Sequence, residues 1–134
     1  MIKRPAQAAT RAAFTLMEML VVVAILVVLA GAAVPIYMSY LDNARIDRMK
    51  LDFKTLEMAL EAYEAKHGFL PQDWTALTQP DPNEPGTRAA LDAETVQKNP
   101  WNMGGYTFNP GERHPLTAKP RIMTTTPSGQ KSNW

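Results

Sequence analysis

The sequence predicts an α+β chain in which one long N-terminal helix packs against a small antiparallel sheet. Three observations carry that expectation. Between Arg11 and Asp42 the one charged residue is Glu18. From Leu41 to Lys66, apolar residues recur at alternating spacings of three and four, the signature of one helical face. After Gly68 the texture changes: nine of the 11 prolines lie there, among short runs that alternate in β fashion.

The first half of the helix is built for lipid. Met19–Leu41 is a charge-free stretch of 23 residues. At about 1.5 Å per residue it spans roughly 35 Å, enough for a hydrocarbon core of about 30 Å with some tilt. Lys3, Arg4 and Arg11 precede it and would hold the N-terminus in the cytoplasm, with residues from Asp42 onward outside. A plain anchor satisfies these facts. So does a cleaved secretory signal, with Met19–Leu29 as its apolar core and Ala30-Gly31-Ala32 as a small-residue cleavage site, releasing a chain that starts near Ala33. Against cleavage there, an acid sits next to the apolar core, and the apolar pattern runs on through Val34, Ile36, Tyr37, Met38 and Leu41.

A third account uses Glu18. The segment AAFTLMEMLVVVAILVVLAGAAVPIY, residues 12–37, resembles the N-terminus of type IV pilins and type II secretion pseudopilins. That family pattern is a short basic leader, a Gly-Phe-Thr-Leu-x-Glu cleavage motif, a long apolar helix and an internal proline. By this resemblance residues 1–13 are the leader and Phe14-Thr15-Leu16-Met17-Glu18 is the mature start. Pro35 falls where the family carries its helix-bending proline. Where the family has Gly before the cut, this chain has Ala13, the next smallest residue.

The resemblance assigns roles. A prepilin peptidase would cut between Ala13 and Phe14 and methylate the new amine on Phe14. Glu18, one turn further on, would pair with the N-terminal amine of an adjacent subunit and set the filament stagger. An ionisable group within a membrane helix costs about 2.5–3.5 kcal/mol at mid-depth on insertion scales and usually has a partner. A carboxylate in the first turn also meets the positive end of the helix dipole. Pro35 removes a helical hydrogen bond, and is expected to bend or loosen the helix, with Gly31 four residues earlier.

The second half is a spine. Ile46, Met49, Phe53, Leu56, Leu60 and Tyr63 form one narrow apolar stripe, expected to pack under the sheet. Asp47, Lys50, Asp52, Lys54, Glu57 and Glu61 fall off it. Lys50/Lys54 and Glu57/Glu61 are like-charge pairs four apart, so these charges do not read as helix-stabilising pairs. His67-Gly68 supplies a stop, with Pro71 soon after.

Beyond the spine, Asp73–Thr78 reads as one helical turn with Asp73 as N-cap, and Gln79–Thr87 as a loop. Arg88–Lys98 reads as a second short helix. Tyr106–Asn109 and Ile122–Thr126 read as strands, the first bounded by Gly105 and Pro110-Gly111. Ala62-Tyr63, His67-Gly68-Phe69-Leu70-Pro71, Pro100-Trp101-Asn102, Tyr106 and Asn109-Pro110-Gly111-Glu112 resemble segments of the major type II secretion pseudopilin. That protein binds Ca²⁺ through aspartates in its C-terminal loop. Here no Asp or Glu follows Glu112, and Arg113, Lys119, Arg121 and Lys131 do. Since Ca²⁺ takes six to eight oxygens, usually with carboxylates among them, the family site is expected to be absent and no cofactor is expected. Hydrogen bonds from Thr124-Thr125-Thr126 and Ser128, and packing by Met123 and Trp134, are expected in its place.

Composition excludes several classes. Residues 14–134 carry 11 basic and 13 acidic groups, net −2, which is no footprint for nucleic acid. There is no cysteine, so neither a disulfide nor a thiolate metal site. His67 and His114 stand apart without a nucleophile or phosphate loop, so no catalytic set is expected. The resemblance thus implies a non-enzymatic structural subunit of a periplasmic type II secretion pseudopilus, assembled through its N-terminal helix into a filament that serves protein secretion. It comprises a leader (1–13), a membrane and assembly helix (14–41) and a periplasmic domain (42–134), whose spine is 42–67 and whose loops and strands are 68–134. Its implied partners are further copies of itself, other pseudopilins, the prepilin peptidase and an inner-membrane assembly platform. Its implied course is from single-pass inner-membrane protein to periplasmic filament. A pilus subunit for adhesion, motility or DNA uptake is the alternative within the family.

Overall fold

The computed structural model describes residues 14–84 and 86–134. Their elements run α1 (Leu16–His67), α2 (Thr75–Thr78), α3 (Ala93–Gln97), β1 (Tyr106–Arg113), β2 (Pro120–Thr126) and β3 (Gly129–Ser132). The chain divides into two compact units, Met1–Tyr40 and Leu41–Trp134, and α1 contributes to both. The three strands form one antiparallel sheet in the order β1-β2-β3.

The second unit holds the core. Met49, Phe53, Leu56 and Leu60 of α1 are buried together with Leu70, Leu77, Leu91, Val96, Tyr106 and Ile122. Each such aliphatic side chain contributes about 1.5–3 kcal/mol when fully buried. The stripe therefore does pack under the sheet, except at its start, where Ile46 is 38% exposed. Phe53 meets the Tyr106 ring edge-on at 5.5 Å, joining spine to sheet. Helix α1 stops at His67 because Gly68 takes φ +82°, a left-handed turn that glycine enters without strain. The Gly68 amide donates to the Glu64 carbonyl at 2.7 Å, closing the last turn.

Several local expectations need correction. The first residue of α2 is Thr75, and Trp74, not Asp73, occupies the N-cap position. Asp73 still serves the helix start, since its Oδ1 accepts from the Thr75 amide at 2.8 Å. The helix expected over 88–98 contracts to Ala93–Gln97, because the Leu91 amide donates to the Leu77 carbonyl instead of joining a helix. Strand β1 runs past Pro110-Gly111 to Arg113, but its ladder breaks there: Asn109 pairs with Arg121 and Arg113 with Pro120. Pro110 has no N–H to give, and Asn109 Oδ1 takes up the Gly111 amide at 3.0 Å, so the intervening residues form a bulge.

The largest correction concerns Asp52. Its carboxylate is buried, accepting from the Tyr106 hydroxyl at 2.8 Å and pairing with Arg48 Nε at 3.0 Å. It lies at the edge of the apolar stripe, one position before Phe53, where a tyrosine from the sheet supplies the partner that the helix alone does not reveal. Burial, then the Asp52 carboxylate, push the Tyr106 phenol well above its ordinary value. The spine also carries favourable local pairs, Arg45–Asp42 and Lys50–Asp47 three apart and Arg48–Asp52 four apart, alongside the like-charge ones.

Candidate functional site

The candidate site is the start of α1 and the apolar helix behind it. Phe14 precedes the helix and is 75% exposed. Thr15 is the residue before the first helical position, and Glu18 is third within the helix. Their contacts are reciprocal. The Thr15 amide and hydroxyl donate to Glu18 Oε2 at 2.8 and 3.0 Å, and the Glu18 amide donates to Thr15 Oγ1 at 3.2 Å. This is a capping box: two otherwise orphaned backbone donors of the helix start are satisfied by two side chains. The pattern Thr15-x-x-Glu18 was legible in the sequence, and it gives the acid a local role that the resemblance alone does not mention. Ala13 and the leader expected over residues 1–13 lie outside the described residues.

From Leu16 to Tyr40 the helix has no cover of its own. Leu20, Val21, Val22 and Val23, four consecutive residues and so four directions around the axis, are each about half exposed or more. A helix apolar on all sides belongs in lipid or in the core of a larger assembly. Among the described residues, α1 is the one helix long and apolar enough to cross a membrane. Pro35 lies inside α1 with no interruption of the helix. Lacking an N–H, it leaves the Gly31 carbonyl without its helical donor, a local weakness that is expensive in an apolar medium.

The surface at the far end of the sheet is closed by ion pairs and amides. Lys119 Nζ lies 2.7 Å from Glu57 and 3.8 Å from Glu61, so the like-charge pair on the spine is bridged by a cation from the β1–β2 connection. Asn133 Nδ2 donates to the same Glu57 at 2.6 Å and to the Pro120 carbonyl at 3.0 Å. Arg113 grips Glu64 through both guanidinium ends, at 2.7 and 3.2 Å. That grip holds the Glu64 carboxyl below its ordinary value, and Glu57 holds the Lys119 ammonium above its own. Asp81 is likewise lowered, chiefly by the Asn83 amide and then by Lys66.

Where the resemblance places a Ca²⁺ loop, the side chains bond to one another and to the backbone. Glu112, the last acid in the chain, is committed to Arg121 at 2.6 Å. Thr126 Oγ1 donates to the Gly129 carbonyl and accepts from the Ser128 hydroxyl, and Thr124 Oγ1 donates to the Gly105 carbonyl. Buried Asn99 ties the ends together: Nδ2 donates to Thr124 Oγ1 and the Thr125 carbonyl, while Oδ1 accepts from the Trp101 and Met103 amides. Trp134 Nε1 reaches the Pro120 carbonyl, and its ring lies 5.3 Å from the Arg121 guanidinium. Among the described residues no three of His, Cys, Asp or Glu gather into a group that could hold a metal. The role of Asn99 had no sequence signal, since its partners lie 25 and 26 residues away.

Comparison with known proteins bears on the same segment. Residues 9–34 match the prokaryotic N-terminal methylation motif. The chain is 34% identical over 95 residues to the type II secretion system core protein G of Pseudomonas aeruginosa, covering 69% of this chain and 60% of that protein. It is 35% identical over 63 residues to the type IV major pilin protein PilE of Neisseria gonorrhoeae, covering 47% of this chain and 38% of PilE. It is 36% identical over 58 residues to the fimbrial protein EcpB of Eikenella corrodens, 43% of this chain and 36% of that protein. The chain thus spans less than two thirds of the length of each of these curated relatives. No solved structure gives a significant match.

Proposed function

From the premise that the chain carries the prokaryotic N-terminal methylation motif and is homologous to pilins and pseudopilins, we propose that it is a structural subunit of a type II secretion pseudopilus. The observation that carries this is the apolar half of α1. It is uncovered on every side and starts with a single carboxylate. In this proposal the precursor sits in the inner membrane with its N-terminus cytoplasmic. The peptidase cuts between Ala13 and Phe14 and methylates the Phe14 amine. Glu18 then exchanges its bonds to Thr15 for the amine of a neighbouring subunit, and Pro35 lets the helix bend as it leaves the bilayer. In the low dielectric of a filament core, a wrong register would strand the acid, so pairing selects one stagger. The partners are other copies, other pseudopilins and the inner-membrane assembly platform. The role is structural, not enzymatic.

Secretion is favoured over a pilus because the similarity to core protein G extends over 95 residues, against 63 and 58 for the pilus proteins. A type IV pilus subunit is the second reading, supported by identities of 35% and 36% to those two. The deciding experiment is the intact mass and N-terminal residue of the chain recovered from its native membrane. A methylated Phe14 start is expected. A start near Ala33 would replace the filament with a released soluble protein, and an intact Met1 start would show that Ala13 blocks processing. We also propose that the domain needs no Ca²⁺. A chelator should leave its melting temperature unchanged to within a degree or two, and a large drop would overturn that.

A further inference from the structure

Side chains from three parts of the Leu41–Trp134 unit meet at Glu57. Its carboxylate stands on α1 and is 14% exposed. Oε2 lies 2.7 Å from the Nζ of Lys119, an amine in the connection between β1 and β2. Oε1 accepts at 2.6 Å from the Nδ2 of Asn133, a carboxamide just past the end of β3. The two oxygens of one acid thus hold an amine and a carboxamide side by side. Asn133 has no freedom to turn away. Its backbone amide donates to the Ile122 carbonyl at 3.1 Å, and its Oδ1 accepts from the Ile122 amide at 2.8 Å. Its Nδ2 donates a second time, to the Pro120 carbonyl at 3.0 Å. These partners also fix the orientation of the carboxamide, since a flip would set donor against donor at Ile122 and acceptor against acceptor at Glu57 and Pro120.

A salt bridge needs only two of these groups. All three together are the parts of an acyl transfer. Lys119 is an amine nucleophile, Glu57 is an acid–base group touching both it and the leaving nitrogen, and Asn133 offers an acyl carbon whose oxygen already holds a backbone donor. We propose that Lys119 and Asn133 join in an isopeptide bond that the chain forms on itself, once, with Glu57 as the catalytic residue. Glu57 takes a proton from Lys119 Nζ, which attacks Asn133 Cγ. Negative charge gathers on Oδ1, where the Ile122 amide stabilises it. The Cγ–Nδ2 bond then breaks. Nζ gives up two protons in all, both pass by way of Glu57 to Nδ2, and that nitrogen leaves as ammonium. Glu57 returns to its anionic form, and no oxidant or co-reactant is consumed. The step is slow at neutral pH, because Glu57 and then Glu61 hold Lys119 in its protonated form. The bond ties the connection before β2 to the end of β3, closing the last hairpin covalently in a chain that has no cysteine. This inference does not rest on the filament reading, since every group in it belongs to the Leu41–Trp134 unit.

Peptide mapping of the full-length chain tests this. Trypsin cuts after Arg113, Arg121 and Lys131, but not after Lys119, which precedes Pro120. Peptide 114–121 and the peptide beginning at Ser132 are therefore separate in an unlinked chain. In a linked chain they travel together, lighter by one ammonia, about 17 Da. In detergent-solubilised protein the linked species is expected to accumulate with time, and faster in alkaline buffer as Lys119 loses its proton. Separate peptides at every time and pH would overturn the proposal. Lys119→Arg keeps a cation beside Glu57 without the amine, so it should give no link and melt below the aged wild type. Equal melting of that variant and a fully linked wild type would show that the bond stabilises nothing and overturn its structural role. Glu57→Gln should slow linkage by about a hundredfold or more. Linkage at the wild-type rate in that variant would remove Glu57 from the chemistry. Circular dichroism reports whether each variant folds, and the wild-type mapping decides the proposal without them.

Discussion

Leu20 and Leu60 belong to one helix and meet opposite surroundings: the first is 58% exposed, the second fully buried. The same contrast holds for the regions around them. In the Leu41–Trp134 unit, every large buried side chain has a partner within the chain, and its buried acid, Asp52, has two. From Phe14 to Tyr40, apolar residues face outward in all directions, and Glu18 is answered by its own Thr15. One region has finished folding when the single chain has folded. The other holds surface that only lipid or further copies can bury, and its stability is inseparable from what it is inserted into.

Five substitutions in four experiments probe that division, in falling order of effect. Glu18→Ala should abolish filament formation while leaving the melting of the Leu41–Trp134 unit unchanged, read by electron microscopy and by circular dichroism in detergent. Normal filaments from this variant would remove Glu18 from assembly. Leu60→Ala should do the reverse to the other region, destabilising the unit by about 2–5 kcal/mol through lost burial and a cavity, measured by denaturant titration of the solubilised chain. A cost below about 1 kcal/mol would mean that this core collapses around the gap.

Tyr106→Phe should cost about 1.5–3 kcal/mol, because it leaves the buried Asp52 with Arg48 alone. Adding Asp52→Leu should recover part of that loss, and a purely additive double variant would show that the pair is uncoupled. The smallest effect is electrostatic. Arg113 lowers the Glu64 carboxyl, so its contribution is present above the ordinary value of 4.5 and disappears as pH falls through the lowered one. Lys119 is raised by Glu57, so its contribution holds below the ordinary 10.5 and is lost as pH rises through the raised value. Melting temperatures of wild type and Glu64→Gln should differ slightly at pH 7 and converge once the medium is acidic enough to protonate Glu64. A gap that persists in acid would mean that Gln also bonds Arg113.

What the sequence revealed follows the same divide. The apolar helix, the spine stripe from Met49 to Leu60 and the stop at Gly68 were legible because each rests on local spacing or on one residue's backbone freedom. Strands β1 and β2 were located, but β1 was read short, since Pro110 marks a break in pairing and not the end of the strand. Asp52 was misread because helical periodicity sorts residues by hydrophobicity, and the partner that makes its burial tolerable is 54 positions away. The cation that relieves the Glu57/Glu61 repulsion was invisible for the same reason: Lys119 comes 62 residues after Glu57. At the candidate site the capping box of Thr15 and Glu18 was present in the pattern and was overlooked in favour of an intermolecular role for the acid.

Glu57 also bears on the order in which the molecule is made. Its two partners, Lys119 and Asn133, follow it by 62 and 76 residues, so the spine that carries it is synthesised before either of them. Glu57 therefore stands without either partner while the rest of the chain is being made, and the sheet cannot complete its hold on the spine until Asn133 has been added. Until then the emerging domain is open to proteases and to holding chaperones. A fusion tag or a truncation that disturbs Asn133 would prolong that interval even where the final fold survives.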